Sequence, residues 1–423
     1  MRRVPTSPSA TLIPRDWDIR QLKDLGRIVR GSSPRPAGDP RFFGGNFIPW
    51  LTVAALTNIP EFQLRVTVTL GFLTEEGAKQ SRTLAEGTII IANSGATLGV
   101  AKLLGLTCCA NDGIAAIVDQ RGGDKEFICH FINTQTTRLR EVVATGNGQP
   151  NLNTGLIEKI AVPFPPLPEQ RAIAKALNDF DALITGLDRL IAKKRDLKQA
   201  AMQQLLTGQT RLPGFRGEWE VRRLAEVGTF LKGSGVRKDE TRSGNLPCIR
   251  YGEIYTHHHD YVRSFNSWIS RAVADTATRL QRGDILFAGS GETKAEIGKC
   301  VAFLDNVEAY AGGDVVILRP TGADSKFLGY FLNTPIVASQ KASRGQGDAV
   351  VHISASALGS IGVSLPKVAE QTAIAAVLSD MDAELAALEG RREKTKALKQ
   401  GMMQELLTGR TRLVTPARED VPA

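Results

Sequence analysis

Leu197-KQAAMQQLLTGQTR-Leu212 returns as Leu398-KQGMMQELLTGRTR-Leu413, identical at 12 of 16 positions, and this repetition organises the rest of the chain. At the same offset of 201 (370 − 169), Glu169-Gln170-Arg-Ala-Ile-Ala174 aligns with Glu370-Gln371-Thr-Ala-Ile-Ala375, so a whole segment is repeated rather than its tip. Within it apolar residues alternate at steps of four and three: Ile173, Leu177, Phe180, Ile184, Leu187, Ile191, then Ala201 and Leu205. The second copy reads Ile374, Leu378, Met381, Leu385, Leu388, then Met402 and Leu406. That period predicts coiled-coil helices. The middle of the seam is basic, at Lys194, Lys198, Arg392 and Lys399. Pro168 and Pro366, with Glu169 and Glu370, suit helix beginnings, and Gly208 and Gly409 suit C-caps.

Upstream the match thins to landmarks. Trp17-DIRQLKDLGRIVR-Gly31 corresponds to Trp219-EVRRLAEVGTFLK-Gly233, and fragments such as Ser94-Gly95 with Ser290-Gly291 and Phe131-Ile-Asn-Thr134 with Phe331-Leu-Asn-Thr334 persist between the flanks. Each copy is therefore a globular head followed by a long helix. The helices stay alike while the heads diverge. That is the pattern expected if the helices bind one common partner twice and the heads do the same task on two targets. A pseudo-twofold relation would run the helices antiparallel as a spacer, with one head at each end.

Bulk properties narrow the function. A chain of 423 residues exceeds one ordinary core and predicts two or three domains. With 42% hydrophobic and 23% charged residues it reads as soluble, without a membrane span, and residues 1–16 read as a flexible lead-in rather than a secretory signal. Five cysteines without CxxC spacing indicate neither a disulfide framework nor a zinc site and fit a reducing cytoplasm. A formal charge of +9 points to a polyanionic partner. The aromatic content of 6% favours duplex over single-stranded nucleic acid, where stacked rings supply much of the affinity.

No catalytic motif stands out. There is no (N/D)PP(Y/F) tetrapeptide, and the nearest phosphate-loop candidate, Gly298-Lys299, has Thr293 in place of the first glycine and Cys300 after the lysine. Asp284 with Glu292-Thr-Lys294 matches the loose acid, acid-x-Lys pattern of metal-dependent nucleases, and a stand-alone endonuclease is the competing reading. The first head lacks these acids at the related positions, around Thr88 and Gly95-Ala96-Thr97, which weakens it. A scaffold without a DNA role is the third reading. His257-His258-His259-Asp260 suits a solvated loop better than a ligand set, because consecutive residues of a strand face opposite ways. Vicinal Cys108-Cys109 reads as core.

The run Pro163-Phe-Pro-Pro-Leu-Pro168-Glu169-Gln170-Arg171, together with the repeated Leu-Lys-Gln-x-x-Met-Gln-x-Leu-Leu-Thr-Gly, resembles the specificity subunit of type I restriction-modification systems over nearly the whole chain. The second copy departs from it in Leu365-Pro-Lys-Val-Ala-Glu370, where the proline run is shorter, but the helices agree. The resemblance implies an α+β fold: two mixed α/β target-recognition domains in pseudo-twofold repeat, separated by two long antiparallel coiled-coil helices. It divides the chain into the lead-in (1–16), a first recognition domain (17–165), a first conserved helix (166–210), a second recognition domain (211–366), a second conserved helix (367–410) and a tail (411–423). Its implied partners are duplex DNA, two DNA-methyltransferase subunits docked on the helices, and restriction/translocase subunits in the full complex. S-adenosylmethionine, ATP and Mg would serve those partners, with no cofactor, metal or catalytic residue of the chain's own.

Base readout needs Arg, Asn or Gln at base edges, and Lys, Ser or Thr at phosphates, on polar glycine-containing loops. In the first head the candidates are Arg30, Ser32, Ser33, Arg35, Arg41, Asn93, Ser94, Gln149 and Asn151. In the second they are Lys232, Ser234, Arg237, Lys238, Arg250, Tyr251, Ser290, Lys294, Arg344 and Gln346.

Overall fold

The computed structural model describes residues 2–3, 12–144, 150–347 and 350–414. The repeated segments are two continuous helices of 39 residues each, Leu167–Leu205 and Val368–Leu406. At 1.5 Å per residue each is about 58 Å long. Both end as their glycines predict: Gly208 and Gly409 take φ of 72° and 70°, a left-handed conformation that costs glycine little.

The chain forms two compact units, residues 1–190 with 388–423, and residues 191–387. Each unit thus holds one head, part of the helix leaving that head, and part of the other long helix. This division cuts across the segments read from sequence, because helix packing rather than chain order groups the residues.

In the first unit a five-stranded sheet runs in the order Arg27–Arg30, Ile114–Val118, Ile89–Ala92, Ala101–Leu104, Arg65–Val66. A four-stranded sheet follows the order Gly71–Leu73, Phe43–Leu51, Cys108–Ala110, Arg82–Leu84. The second unit repeats this plan. One sheet orders Gly228–Lys232, Val315–Pro320, Ile285–Ala288 and Cys300–Ala302; the other orders Ser267–Ile269, Leu246–Ile249, Tyr310–Ala311 and Thr278–Arg279. Central strands such as Ile89–Ala92 and Ile285–Ala288 are buried throughout, as their unbroken apolar runs require. Cys108 and Cys109 lie in such a strand, and burial pushes the Cys108 thiol up to about 12, so it is core.

Register equivalence between the heads reaches well beyond the residues that look alike. Cβ atoms added at Gly31 and Gly233 would lie 2.1 Å from the carbonyl oxygens of Asn111 and Gly312 respectively, so both glycines are demanded by the same close approach. Gly45 and Gly244 are likewise pressed against Thr74 and Ser270, the N-caps of corresponding short helices. Pro49 pairs with Phe72, and Pro247 with Trp268, at the same step of corresponding strand pairs.

In each head a short strand pair leads into the long helix: Asp18–Gln21 with Ala161–Phe164, and Glu220–Arg223 with Gly362–Leu365. Helix and head then share one core. Ile173, Leu177, Leu406 and Leu407 pack with Trp17, Phe127 and Ile132 in the first unit. Leu205, Leu206, Ile374 and Leu378 pack with Leu224, Phe327 and Leu332 in the second.

Candidate nucleic-acid interface

The repeated Glu-Gln and Thr-Gly-x-Thr-Arg elements are joints within each unit. Glu169 is buried, accepting from the Trp17 indole N–H at 3.2 Å and from the Arg412 guanidinium, whose Nη2 lies 2.7 Å from Oε2. Arg412 also pairs with Asp16 at 2.8 Å and lies over the Trp17 ring, 5.6 Å from its centroid. The hydrogen bond from Arg412 holds the Asp16 carboxyl below its ordinary range, against a small burial effect. In the second unit Arg211 grips the buried Glu370 with Nη2 at 2.5 Å and lies 5.8 Å from the Trp219 ring. Gln170 and Gln371 join helix to head. Each accepts from the backbone N–H of a head-helix N-cap, Asp124 at 2.7 Å or Asp324 at 2.9 Å, and donates to Pro165 or Pro366 at 2.8 Å. Sequence alone marked these residues as repeated without showing what they do.

The basic middle of the seam is neutralised across antiparallel helices. In the first unit Lys399 meets Asp181 at 2.6 Å and Arg392 meets Asp188 at 3.1 Å. In the second, Lys194 meets Glu384 at 2.7 Å, and Lys198 meets Asp382 at 2.7 Å and Asp260 at 3.3 Å. The two equivalent carboxylates differ. Asp382 Oδ2 accepts from Tyr330 at 2.6 Å and pairs with Arg263 at 2.9 Å, whereas Asp181 Oδ2 is buried with no hydrogen-bond partner among the described residues. Burial accordingly raises the Asp181 carboxyl despite Lys399. His130 stands where the second head has Tyr330 and bonds Asn178 Oδ1 at 2.8 Å.

Three loops of the first head bring the expected DNA-reading residues together around Asp112. Ser33 Oγ donates to its carboxylate at 2.7 Å, Arg35 lies 3.7 Å from it, and Arg30 and Asn93 donate to its backbone carbonyl, Asn93 at 3.2 Å. A Cβ at Gly113 would lie 3.0 Å from Ser94 Oγ, so Ser94 belongs to the same cluster. Ser32 bonds the Gln80 carbonyl at 3.1 Å, and Arg41 is paired with Asp39 at 2.7 Å. Asn151 is half-buried, and Gln149 lies outside the described residues.

The second head is more open. Asp112 corresponds to Gly313, given the equivalence of Asn111 and Gly312, so no carboxylate occupies that position. Ser234 donates to the Thr276 carbonyl at 2.9 Å, and the Lys232 carbonyl accepts from Thr278 at 2.9 Å. Ser290 meets His352 at 2.8 Å, Gln346 pairs with His352 through the backbone, and Arg344 is held by the Gln340 carbonyl at 2.8 Å and Ser360 at 2.9 Å. Arg237 and Lys294 are exposed, and Tyr251 packs half-buried on the core. Lys238 and Arg250 line a cleft of about 520 Å³ with Thr241, Arg242 and Asn266, all three of which the sequence reading passed over. Their only sequence signal is polarity.

Asp284 cannot serve the nuclease pattern. It is fully buried, its two oxygens accept from Arg319 at 2.8 and 2.9 Å, and Oδ2 also accepts the Gln281 N–H, while Glu292 and Lys294 are exposed. The four-residue His257–Asp260 run is less solvated than expected: His258 is buried, and burial pulls it down to about 4. No group of three or more His, Cys, Asp or Glu residues placed to hold a metal exists among the described residues. Among these residues no helix is long and apolar enough to cross a membrane.

A family model described as the type I restriction modification DNA specificity domain matches twice, over residues 14–193 and 216–398. The type I restriction enzyme MjaVIII specificity subunit of Methanocaldococcus jannaschii is 22% identical over 95% of this chain and 94% of its own length. The crystal structure of a type I restriction-modification S subunit from M. genitalium shares the fold at a TM-score of 0.58, with 15% identity over 96% of this chain and 99% of that one. A structure described as the basis of complex assembly and conformational transition of the type I restriction-modification system superposes at a TM-score of 0.60, with 17% identity over 94% and 99%. Two recognition-type domains, two repeated helices and two family matches together place the chain in the type I restriction-modification DNA specificity family, as a non-catalytic specificity subunit.

Proposed function

We propose that each head reads one half of a split, asymmetric duplex DNA target and that the two long helices dock two DNA-methyltransferase subunits, directing adenine methylation and restriction. The observation that carries this is one backbone plan in both heads with different chemistry at the equivalent loop: a carboxylate-centred cluster at Asp112 in the first, and Gly313 in the same place in the second, where Arg250 lies beside the preceding Gly312. Same frame and different contacts fit two unlike half-targets. Docking is supported by the helices' exposed identities. Leu197, Gln199 and Gln203 recur as Leu398, Gln400 and Gln404, and all six are exposed, so packing within the chain does not account for them.

The chemistry then lies with the partners. A methyltransferase using S-adenosylmethionine must flip its adenine from the stack, and the chain supplies position and register. ATP and Mg serve restriction/translocase subunits in the full complex. The test is co-expression with a type I methyltransferase subunit from the same genome, followed by mapping of methylated adenines. A split asymmetric target is expected, and exchanging residues 17–163 for another head should alter one half of it. Loss of both halves would defeat the modular reading.

A further inference from the structure

Several arginines on the second head are committed to acids. Arg222 pairs with Glu220 at 2.7 Å, Arg271 with Glu308 at 2.8 Å, and Arg319 with Asp284 at 2.8 Å. Lys238, Arg242 and Arg250 differ, for their side chains make no hydrogen bond or ion pair among the described residues, yet all three line the one cleft of about 520 Å³. Of the two acids in that lining, Glu253 is buried and already accepts from Ser267 and from the Arg250 backbone N–H, and Asp239 is exposed. Thr241, Thr256 and Asn266 add neutral donors and acceptors. Arg250 is the most buried of the three cations. Its stem is half-buried beside Gly312, where an added Cβ would lie 3.4 Å from Arg250 Cγ.

A second observation concerns the strand beside the cleft. The backbone N–H of Trp268 donates to the Thr241 carbonyl at 2.9 Å, and its ring packs edge-on against Phe265 at 6.0 Å. Trp268 remains 41% exposed although Ser267 and Ile269 on either side are buried. A single exposed aromatic needs no explanation. Its register equivalent in the first head, however, is Phe72, which is 43% exposed. Two heads that share little sequence present an aromatic ring at the same step of the same strand pair.

From these placements we infer that this cleft is the DNA-contact site of the second head: Lys238 and Arg242 hold phosphates, Arg250 and Asn266 reach base edges, and Trp268 packs against a sugar or a thymine methyl at the rim. The assignment rests on the reading above that the heads bind duplex DNA. Three unpaired cations lining one cleft suit a polyanion, a half-buried guanidinium and an amide suit guanine and adenine edges, and an exposed ring suits the apolar faces between phosphates. Arg344 and Ser290, which are internally bonded, position loops instead.

The test uses the assembled methyltransferase complex and its mapped target duplex, with affinity measured by fluorescence anisotropy against salt. Lys238→Ala and Arg242→Ala should each flatten the log K against log salt slope by about 1, on target and scrambled duplex alike. Arg250→Lys keeps the charge but loses the two-pronged contact. It should weaken target binding about tenfold or more and relax the methylated sequence in the second half only. Trp268→Ala should weaken target binding and leave the first half of the sequence unchanged. Arg222→Ala and Arg271→Ala, equal in charge lost, should leave the slope as it is. Unchanged slope and sequence in the cleft variants, with the wild-type complex still binding, would overturn the cleft while leaving DNA reading intact. No salt-dependent duplex binding by the wild-type complex would overturn the underlying reading, and this inference with it.

Discussion

Arg412 shows how much rests on single side chains. Glu169 is 2% exposed and its charge is balanced by one guanidinium and one indole N–H, so Arg412→Ala strands a carboxylate. Breaking a buried pair by removing one partner costs about 3–5 kcal/mol. Because Arg412 is 21% exposed and the Trp17 bond survives, the lower end is expected. Thermal melting followed by the Trp17 signal would read it, with Arg410→Ala, whose pair with Glu405 is long at 3.6 Å and exposed, as a near-silent control.

His130 makes the first head sensitive to acid. Burial pulls its imidazole from about 6.5 down to about 4, with the Asn178 bond opposing. The unfolded chain takes up a proton near pH 6.5 and the folded head does not until about 4. Protons therefore favour unfolding across that window, and stability falls as pH drops from about 6.5 to about 4, by about 3 kcal/mol in all. His130→Gln should flatten this part of the melting-temperature profile, and an unchanged slope would refute the assignment. Such roles were not legible beforehand. Composition indicated DNA and the loops indicated candidates, but the gathering of Arg30, Ser33, Arg35 and Asn93 on Asp112 depends on three loops meeting, which no local pattern encodes.

The long helices, by contrast, were readable because their period, capping glycines and repetition all agree. What the sequence could not separate was which repeated residues pack and which face outward. The structure sorts Leu205/Leu406, Lys198/Lys399 and Arg211/Arg412 as internal, leaving Leu197 and Leu398 exposed at 47% and 52%. If these mark two equivalent docking positions, Leu197→Arg and Leu398→Arg should each reduce the methyltransferase content from two copies to one, and the double variant should abolish it. Native mass spectrometry would count the copies. Loss of both copies from either single variant would deny independent sites. The strands were harder to align by eye, since Trp50 and Cys248 occupy equivalent positions with unlike side chains and only backbone pairing relates them.

The first compact unit is discontinuous, closed by residues 388–423, whereas the second is contained within residues 191–387. Ending the chain at Ala387 therefore strips one unit selectively. It removes Leu406 and Leu407 from the core around Ile173 and Leu177, the Lys399 partner of Asp181 and the Arg412 partner of Glu169. Two buried leucines contribute about 2–5 kcal/mol each when truncated to a methyl group, so their outright loss with two ion partners exceeds the stability of an ordinary domain. The second unit keeps Leu205, Leu206, Ile374 and the Arg211–Glu370 pair. Hydrogen exchange on the truncated chain should show protection lost across Ile114–Val118 and Lys125–Thr134 but retained across Val315–Pro320 and Ser325–Phe331. Equal loss in both would mean that the heads fold as one cooperative body, and equal retention would mean that a head needs no help from the far helix. Selective loss would show that the repeated Leu-Leu-Thr-Gly-x-Thr-Arg element completes the fold of a head it does not follow in sequence. That duty, added to the proposed partner docking, would explain why the helices are alike while the heads differ.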